Sequence, residues 1–153
     1  MEALVAHAET DTAIRRCFPL MSQLRAHLLE AEFAERVVRQ QQQGYRLAYL
    51  EAASEVRAVA GYRLAENLAW GKFCYVDDLV TDVGSRSQGY GRILFAWLLA
   101  RARDAGCEQF HLDSGVQRFD AHRFYLAHRM AISSHHFSLS FADEPNRYSS
   151  RSS

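Results

Sequence analysis

The chain has 153 residues, 48% hydrophobic and 24% charged, with 18 basic residues balancing 18 acidic ones. That length suits one domain over residues 1–141 with a flexible tail over 142–153, and the balanced charge offers no field for nucleic acid or an anionic membrane. No run nears the ~20 apolar residues that span a bilayer, no apolar signal core opens the chain, and Cys17, Cys74 and Cys107 are too scattered for a disulfide framework or a zinc cluster, so a reduced, cytoplasmic setting is expected.

In chain order, Ala3 to Ala8 alternates as a first strand, and Thr10 and Asp11 supply N-cap oxygens for a short helix reaching Cys17. Pro19 suits the first turn of a second helix, with Leu20, Leu24, His27 and Leu28 on one stripe. A third runs from Ala31 to about Gln43, with Phe33, Val37 and Val38 inward and Gly44 at its C′ position. Tyr45 to Leu50 and Val56 to Leu64 alternate as strands around a hairpin connection at Ala52 to Glu55. Phe73 to Thr81 is a third extended run, followed by a glycine-bearing turn. A helix from Arg92 to Ala105 would bury Ile93, Leu94, Trp97, Leu98, Ala102 and Ala105, ending at Gly106. Gln109 to Asp113 reads as a strand, Phe119 to His128 as a helix, and Ser133 to Phe141 as a last strand with Phe137, Leu139 and Phe141 on one face. Strand, helical segments, three strands, helix, strand, helix, strand: the fold class is α/β, a mixed sheet with helices on its faces.

The turn itself, Arg86-Ser87-Gln88-Gly89-Tyr90-Gly91, carries the most information. Backbone N–H groups at a helix start, with the positive end of the helix dipole, form an anion site, and Gly89 and Gly91 let a phosphate approach the main chain. A P-loop is excluded because Gly91 is followed by Arg92 and Ile93 rather than Lys-Ser/Thr. A dinucleotide fingerprint is excluded by the missing third glycine. The spacing R-x-x-G-x-G after Val76-Asp77-Asp78-Leu79-Val80-Thr81 resembles the acetyl-CoA signature of the GNAT superfamily of N-acetyltransferases. Ala121-His122-Arg123-Phe124-Tyr125 is similar to that family's A-x-x-F/L-Y helix. The strong similarity covers about Tyr75 to Arg129. The chain departs from the family at Arg129-Met130, where relatives carry Gly-Phe, so a short or reorganised final strand pair is in view. It departs again at Arg118, where they often carry Asn.

The resemblance implies a central twisted mixed sheet flanked by helices, acetyl-CoA as co-substrate, and acetyl transfer to a primary amine by direct attack in a ternary complex. A non-catalytic acyl-CoA-binding or regulatory module of the same fold is the alternative. It implies main-chain contacts to the cofactor from Leu79, Val80 and Thr81 and from Arg86, Ser87, Gln88, Gly89, Tyr90, Gly91 and Arg92. Tyr125 would protonate the departing thiolate. Tyr62, Asn67, Trp70 and Tyr75 are candidate acceptor liners, since aromatic rings with carboxylates suit a cationic amine. The implied partner is a small-molecule or peptide amine, and a homodimer is compatible with the family.

A lysine-like amine with pKa near ~10.4 is neutral in only about one part in a thousand at pH 7.4, a handicap of roughly 4 kcal/mol. A carboxylate, or a water that it holds, reduces this handicap by accepting the proton. Asp77 and Asp78 are the candidates, and strand alternation predicts that they point to opposite faces, so that at most one enters the cleft directly. No metal is called for: adjacent His135 and His136 face opposite ways on an expected strand. The series His111, Asp113, Ser114 lacks the geometry of a triad.

Overall fold

The structure is a computed structural model that describes residues 2–142; of the tail expected over 142–153, all but Ala142 lies outside the described residues. The chain forms two compact units, one ending at Leu112 and the other starting at Asp113.

The first unit is built on a five-stranded sheet in the order β1-β2-β3-β4-β5. β1 (Leu4–His7), β2 (Tyr45–Ala52), β3 (Glu55–Asn67) and β4 (Gly71–Thr81) are successively antiparallel, and β5 (Gln109–Leu112) runs parallel to β4. Between β1 and β2 lie α1 (Asp11–Arg16), α2 (Phe18–Leu24) and α3 (Glu30–Gln41). The Thr10 hydroxyl accepts from Ala13 N at 3.1 Å and so caps α1, as its position before the apolar run suggests. α2 stops at Leu24, so His27 and Leu28 leave the helical stripe expected of them. Val38 also departs, lying exposed on the outer side of α3 while Phe33, Ala34 and Val37 are buried.

Each face of the sheet has its own core. Ile14, Leu20, Met21, Phe33 and Val37 from the three early helices pack on Tyr45, Leu47, Val59 and Val80. On the other face, α4 (Tyr90–Asp104) lays Leu94, Leu98 and Ala102 onto Ala48, Ala60, Tyr62, Cys74 and Val76. Ile93, expected inside, is exposed, whereas Phe95 is buried and meets Phe110 of β5 edge-on at 5.5 Å. β3 and β4 extend three residues and two residues past the runs predicted for them, so much of the stretch from Leu64 to Lys72 is a hairpin rather than a loop.

Two irregularities place the site. The β3–β4 register pairs Gly61 with Asp78 but Tyr62 with Val76, leaving Asp77 as the extra residue of a β-bulge. The β4–β5 ladder runs from Phe73 opposite Gln109 to Val76 opposite Leu112 and has no rung beyond. From Asp78 to Thr81, β4 pairs with β3 alone among the described residues, and no strand pairs with its other edge.

In the second unit, α5 (Phe119–Ala127) begins after Arg118, whose backbone N–H donates to Gly115 O at 3.0 Å. Residues 131–141 form no strand, which corrects the expectation for Ser133 to Phe141. Phe137, Leu139 and Phe141 are 90%, 78% and 94% exposed. Alternation alone does not make a strand, because extended backbone needs a neighbouring ladder to satisfy its N–H and C=O groups.

Candidate active site

The glycine turn begins where β4 ends. A short 3₁₀ turn (Val83–Ser85) follows Asp82, and α4 starts after Gly89 with no side chain capping its first N–H groups. Ser87 and Gly89 have φ of +79° and +83°. A Cβ at Gly89 would meet open space, so its glycine answers to backbone conformation rather than to crowding. At Gly91 the reverse holds: a Cβ would lie 2.8 Å from Thr81 Oγ1, so the missing side chain lets α4 start close against the end of β4. Left-handed residues alternating with ordinary ones turn successive N–H groups toward one concavity, the geometry that holds anions. Arg86 through Gly89 are exposed there.

Residues that sequence reading passed over hold this turn in place. Arg57 donates to Ser85 Oγ at 3.3 Å and lies 3.8 Å from an Asp82 oxygen; its carbonyl accepts from Asp82 N at 2.9 Å. Gln23 of α2 bridges to Asp82 Oδ1 (3.2 Å) and accepts from Val83 N (3.1 Å). The Gln23 amide is the main reason the Asp82 carboxyl is held below its ordinary value. Only the TDVGS sequence after an apolar strand hinted at such bracing, since partners 25 and 59 residues away cannot be read from local spacing.

The paired aspartates depart from expectation. The bulge breaks the alternation, and both carboxylates reach the side of the sheet that carries Tyr45. Asp78 Oδ2 accepts from Tyr45 Oη at 2.8 Å, and Asp78 Oδ1 from Arg25 Nε at 3.0 Å. Asp77 Oδ2 accepts from Arg63 Nε at 2.9 Å, and the Arg63 guanidinium lies 5.3 Å over the Tyr45 ring. Arg25 also donates to the Asp77 carbonyl at 2.8 Å. Burial raises the Asp77 pKa, against the pull of Arg63.

The same face carries an aromatic surface. The register places Tyr45, Arg63, Tyr75 and His111 opposite one another in a row across β2 to β5. Trp70 stacks on His111 with ring centres 3.5 Å apart and planes at 12°, and Phe73 meets Trp70 edge-on at 5.0 Å. Asn67 turns the hairpin: its Oδ1 accepts from Trp70 N at 2.7 Å. Tyr62 does not belong to this surface. It is 0% exposed, lies on the α4 face, and its hydroxyl is 2.7 Å from His7 Nε2, so it cannot line an open acceptor site. A cavity of about 380 Å³ at the start of β2 is lined by His7, Ala8, Glu9, Gln41, Tyr45, Arg46 and Leu47, and by neither aspartate.

Within the second unit, Tyr125 sits on α5 beside Phe124, with ring centres 5.7 Å apart, and burial raises its pKa above 10, the ordinary phenol value. The phenol is thus protonated throughout the neutral range. Asp113 lies 3.4 Å from His136. Among the described residues no group of three His, Cys, Asp or Glu side chains is placed to hold a metal, and no helix is long and apolar enough to cross a membrane.

The site is thus a mixed sheet whose fourth strand runs on past the end of the fifth into a helix start that no side chain caps. The sequence profile of the Acetyltransferase (GNAT) family matches residues 7–129, and the chain belongs to that family. It is accordingly an N-acetyltransferase. An uncharacterized N-acetyltransferase of Bacillus subtilis, YhdJ, is 37% identical over 109 residues, covering 71% of this chain and 77% of that one. Glucosamine-6-phosphate N-acetyltransferase from Arabidopsis thaliana superposes with a TM-score of 0.74 at 20% identity, covering 93% of this chain and all of the other. An aminoglycoside N-acetyltransferase, AAC(6')-Iy, solved in complex with CoA, gives 0.76 at 11% identity over 91% and 94% of the two chains.

Proposed function

We propose that the protein transfers the acetyl group of acetyl-CoA to a primary amine by direct attack in a ternary complex. The observation that carries this reading is the open edge of β4 leading into the α4 start. The pantetheine arm would add to Leu79, Val80 and Thr81 as a further strand. The amides from Arg86 to Arg92 would hold the pyrophosphate, with Arg86 and Arg92 adding charge. Tyr125 would donate its proton to the departing thiolate, whose acid pKa is near that of a simple thiol, about 8.5. One of the paired aspartates would relieve the acceptor ammonium of its proton. The Trp70, Phe73 and Tyr75 rings on the same face favour a cationic acceptor.

Titration calorimetry with acetyl-CoA, CoA, ATP and NAD tests the cofactor, and release of free thiol with a panel of primary amines tests the reaction. Heat with the CoA species only, followed by amine-dependent thiol release, is expected. Binding of ATP or NAD in preference to acetyl-CoA refutes the reading, and binding with no thiol release across the panel favours the non-catalytic module. Tyr125→Phe should lower turnover by ~10²-fold or more with acetyl-CoA affinity nearly unchanged. Unaltered turnover across the pH profile removes the role.

A further inference from the structure

α2 ends against both halves of the site. Gln23, the residue before its last, donates from Nε2 to Asp82 Oδ1 at 3.2 Å and accepts from Val83 N at 3.1 Å. Arg25, which caps the same helix, donates from Nε to Asp78 Oδ1 at 3.0 Å and from Nη2 to the Asp77 carbonyl at 2.8 Å. Its own N–H returns to Met21 O at 2.8 Å, and Leu20 and Met21 are buried in the core on that face of the sheet. Side chains from one short helix therefore reach both the entry of the glycine turn and the bulge of β4.

Asp82 poses an electrostatic problem at that entry. It is the only acid between Asp78 and Asp104, and it precedes the amides that would hold a diphosphate. An unpaired carboxylate there would repel the ligand. Both of its oxygens are engaged instead: Oδ1 by Gln23, and Oδ2 by the Ser85 hydroxyl at 3.2 Å and the Arg57 guanidinium at 3.8 Å. A glutamine at an exposed helix end ordinarily stays solvated, because holding one rotamer costs side-chain entropy. Here the amide has a single orientation that serves both partners: its NH₂ faces the carboxylate and its oxygen faces the Val83 N–H.

We propose that Gln23 is a positioning residue for both substrates, a role that rests on the acetyltransferase reading above. Toward the cofactor, it screens the Asp82 charge and fixes Val83, the first residue of the 3₁₀ turn. Toward the acceptor, it holds the end of α2 against the sheet and so keeps Arg25 on the Asp77–Asp78 pair. What loosens Gln23 loosens Arg25, although the two side chains serve different halves of the site.

Two measurements test this. In titration calorimetry with acetyl-CoA, Gln23→Glu sets a carboxylate against Asp82 and should weaken binding by about tenfold or more, the loss of one hydrogen bond to a charged group. Adding Asp82→Asn to Gln23→Glu exchanges the amide and the carboxylate between the two positions, and should return the affinity to within about threefold of the native value. Native affinity in the Gln23→Glu variant, or no recovery in the double exchange, refutes the pairing. In the free full chain, the ¹⁵N-resolved Arg25 Nε–H should exchange with solvent at least ~10-fold faster in Gln23→Ala than in the native protein. The Arg63 Nε–H, which reaches Asp77 from β3 rather than from α2, is the internal control and should keep its rate. An unchanged Arg25 rate, or an equal acceleration at Arg63, refutes the link through α2. Failure of the native chain to bind acetyl-CoA defeats the transferase reading and the cofactor half of the proposal with it, while the Arg25 rate, measured without any ligand, still decides the link.

Discussion

Replacing Gly61 with alanine probes the carboxylate pair at its foundation. Gly61 has an ordinary extended backbone, so alanine meets no conformational penalty and gains about 0.5–1 kcal/mol in strand preference. Against this, the new methyl group falls within the van der Waals envelope of the Tyr45 ring, which is 4% exposed and packed among Leu47, Val59 and Val37. Displacing a buried side chain costs about 1–3 kcal/mol. Losing the Tyr45 bond to the Asp78 carboxylate costs a further ~1.5–3 kcal/mol. The net destabilisation is about 3 kcal/mol, or roughly 6–12 °C in Tm at 2–4 °C per kcal/mol for a chain of this size. Urea unfolding followed by fluorescence measures it. A double-mutant cycle assigns the cause: in a Tyr45→Ala background, Gly61→Ala should cost less than about 0.5 kcal/mol. An equal penalty with and without the tyrosine ring would refute the steric argument and, with it, the account of how Asp78 is fixed.

Three other expectations are independent of the reaction. Ala53 and Ser54 both have positive φ (+53° and +62°) in the two-residue β2–β3 turn, so substituting Asn-Gly should stabilise the fold by about 1–2 kcal/mol in the same urea assay. Burial pushes the Cys17 and Cys74 thiols up to about 12, while Cys107 is only half-buried; a disulfide reagent at pH 8 should therefore modify only Cys107 in the native chain, and nothing in Cys107→Ser until it unfolds. Burial lowers the His7 pKa, so the unfolded chain binds the proton more readily and stability falls as pH drops below the unfolded value of about 6.5 toward the lower folded one. His7→Gln keeps an acceptor for Tyr62 without that titration, and its stability should decline less than that of the native chain between pH 7 and pH 5.

Much of the site was readable along the chain because its signals are local. Gly89 announced a left-handed backbone and Gly91 a close approach of helix to strand, and an apolar strand before them with an amphipathic run after them placed the turn at a helix start. The same locality explains the errors. Periodicity put Ile93 inside and Val38 inward, yet which arc of a helix is buried depends on where the sheet crosses it, as Phe95 against Phe110 shows. Tyr62 looked like a pocket residue because an aromatic in an alternating strand carries no label for its face.

What the sequence by itself determined is the order of elements as far as α5, the glycine junction and the family, since each follows from nearest-neighbour chemistry: propensity, capping and backbone freedom. Tertiary structure alone decided the relation of Asp77 to Asp78. Strict alternation would have parted them, but one unpaired residue in β4 shifts the phase, and Tyr45, Arg25 and Arg63, distant in sequence, then reach both carboxylates. It also decided that the 131–141 segment is not a strand, because pairing is a property of two backbones and cannot be written into one.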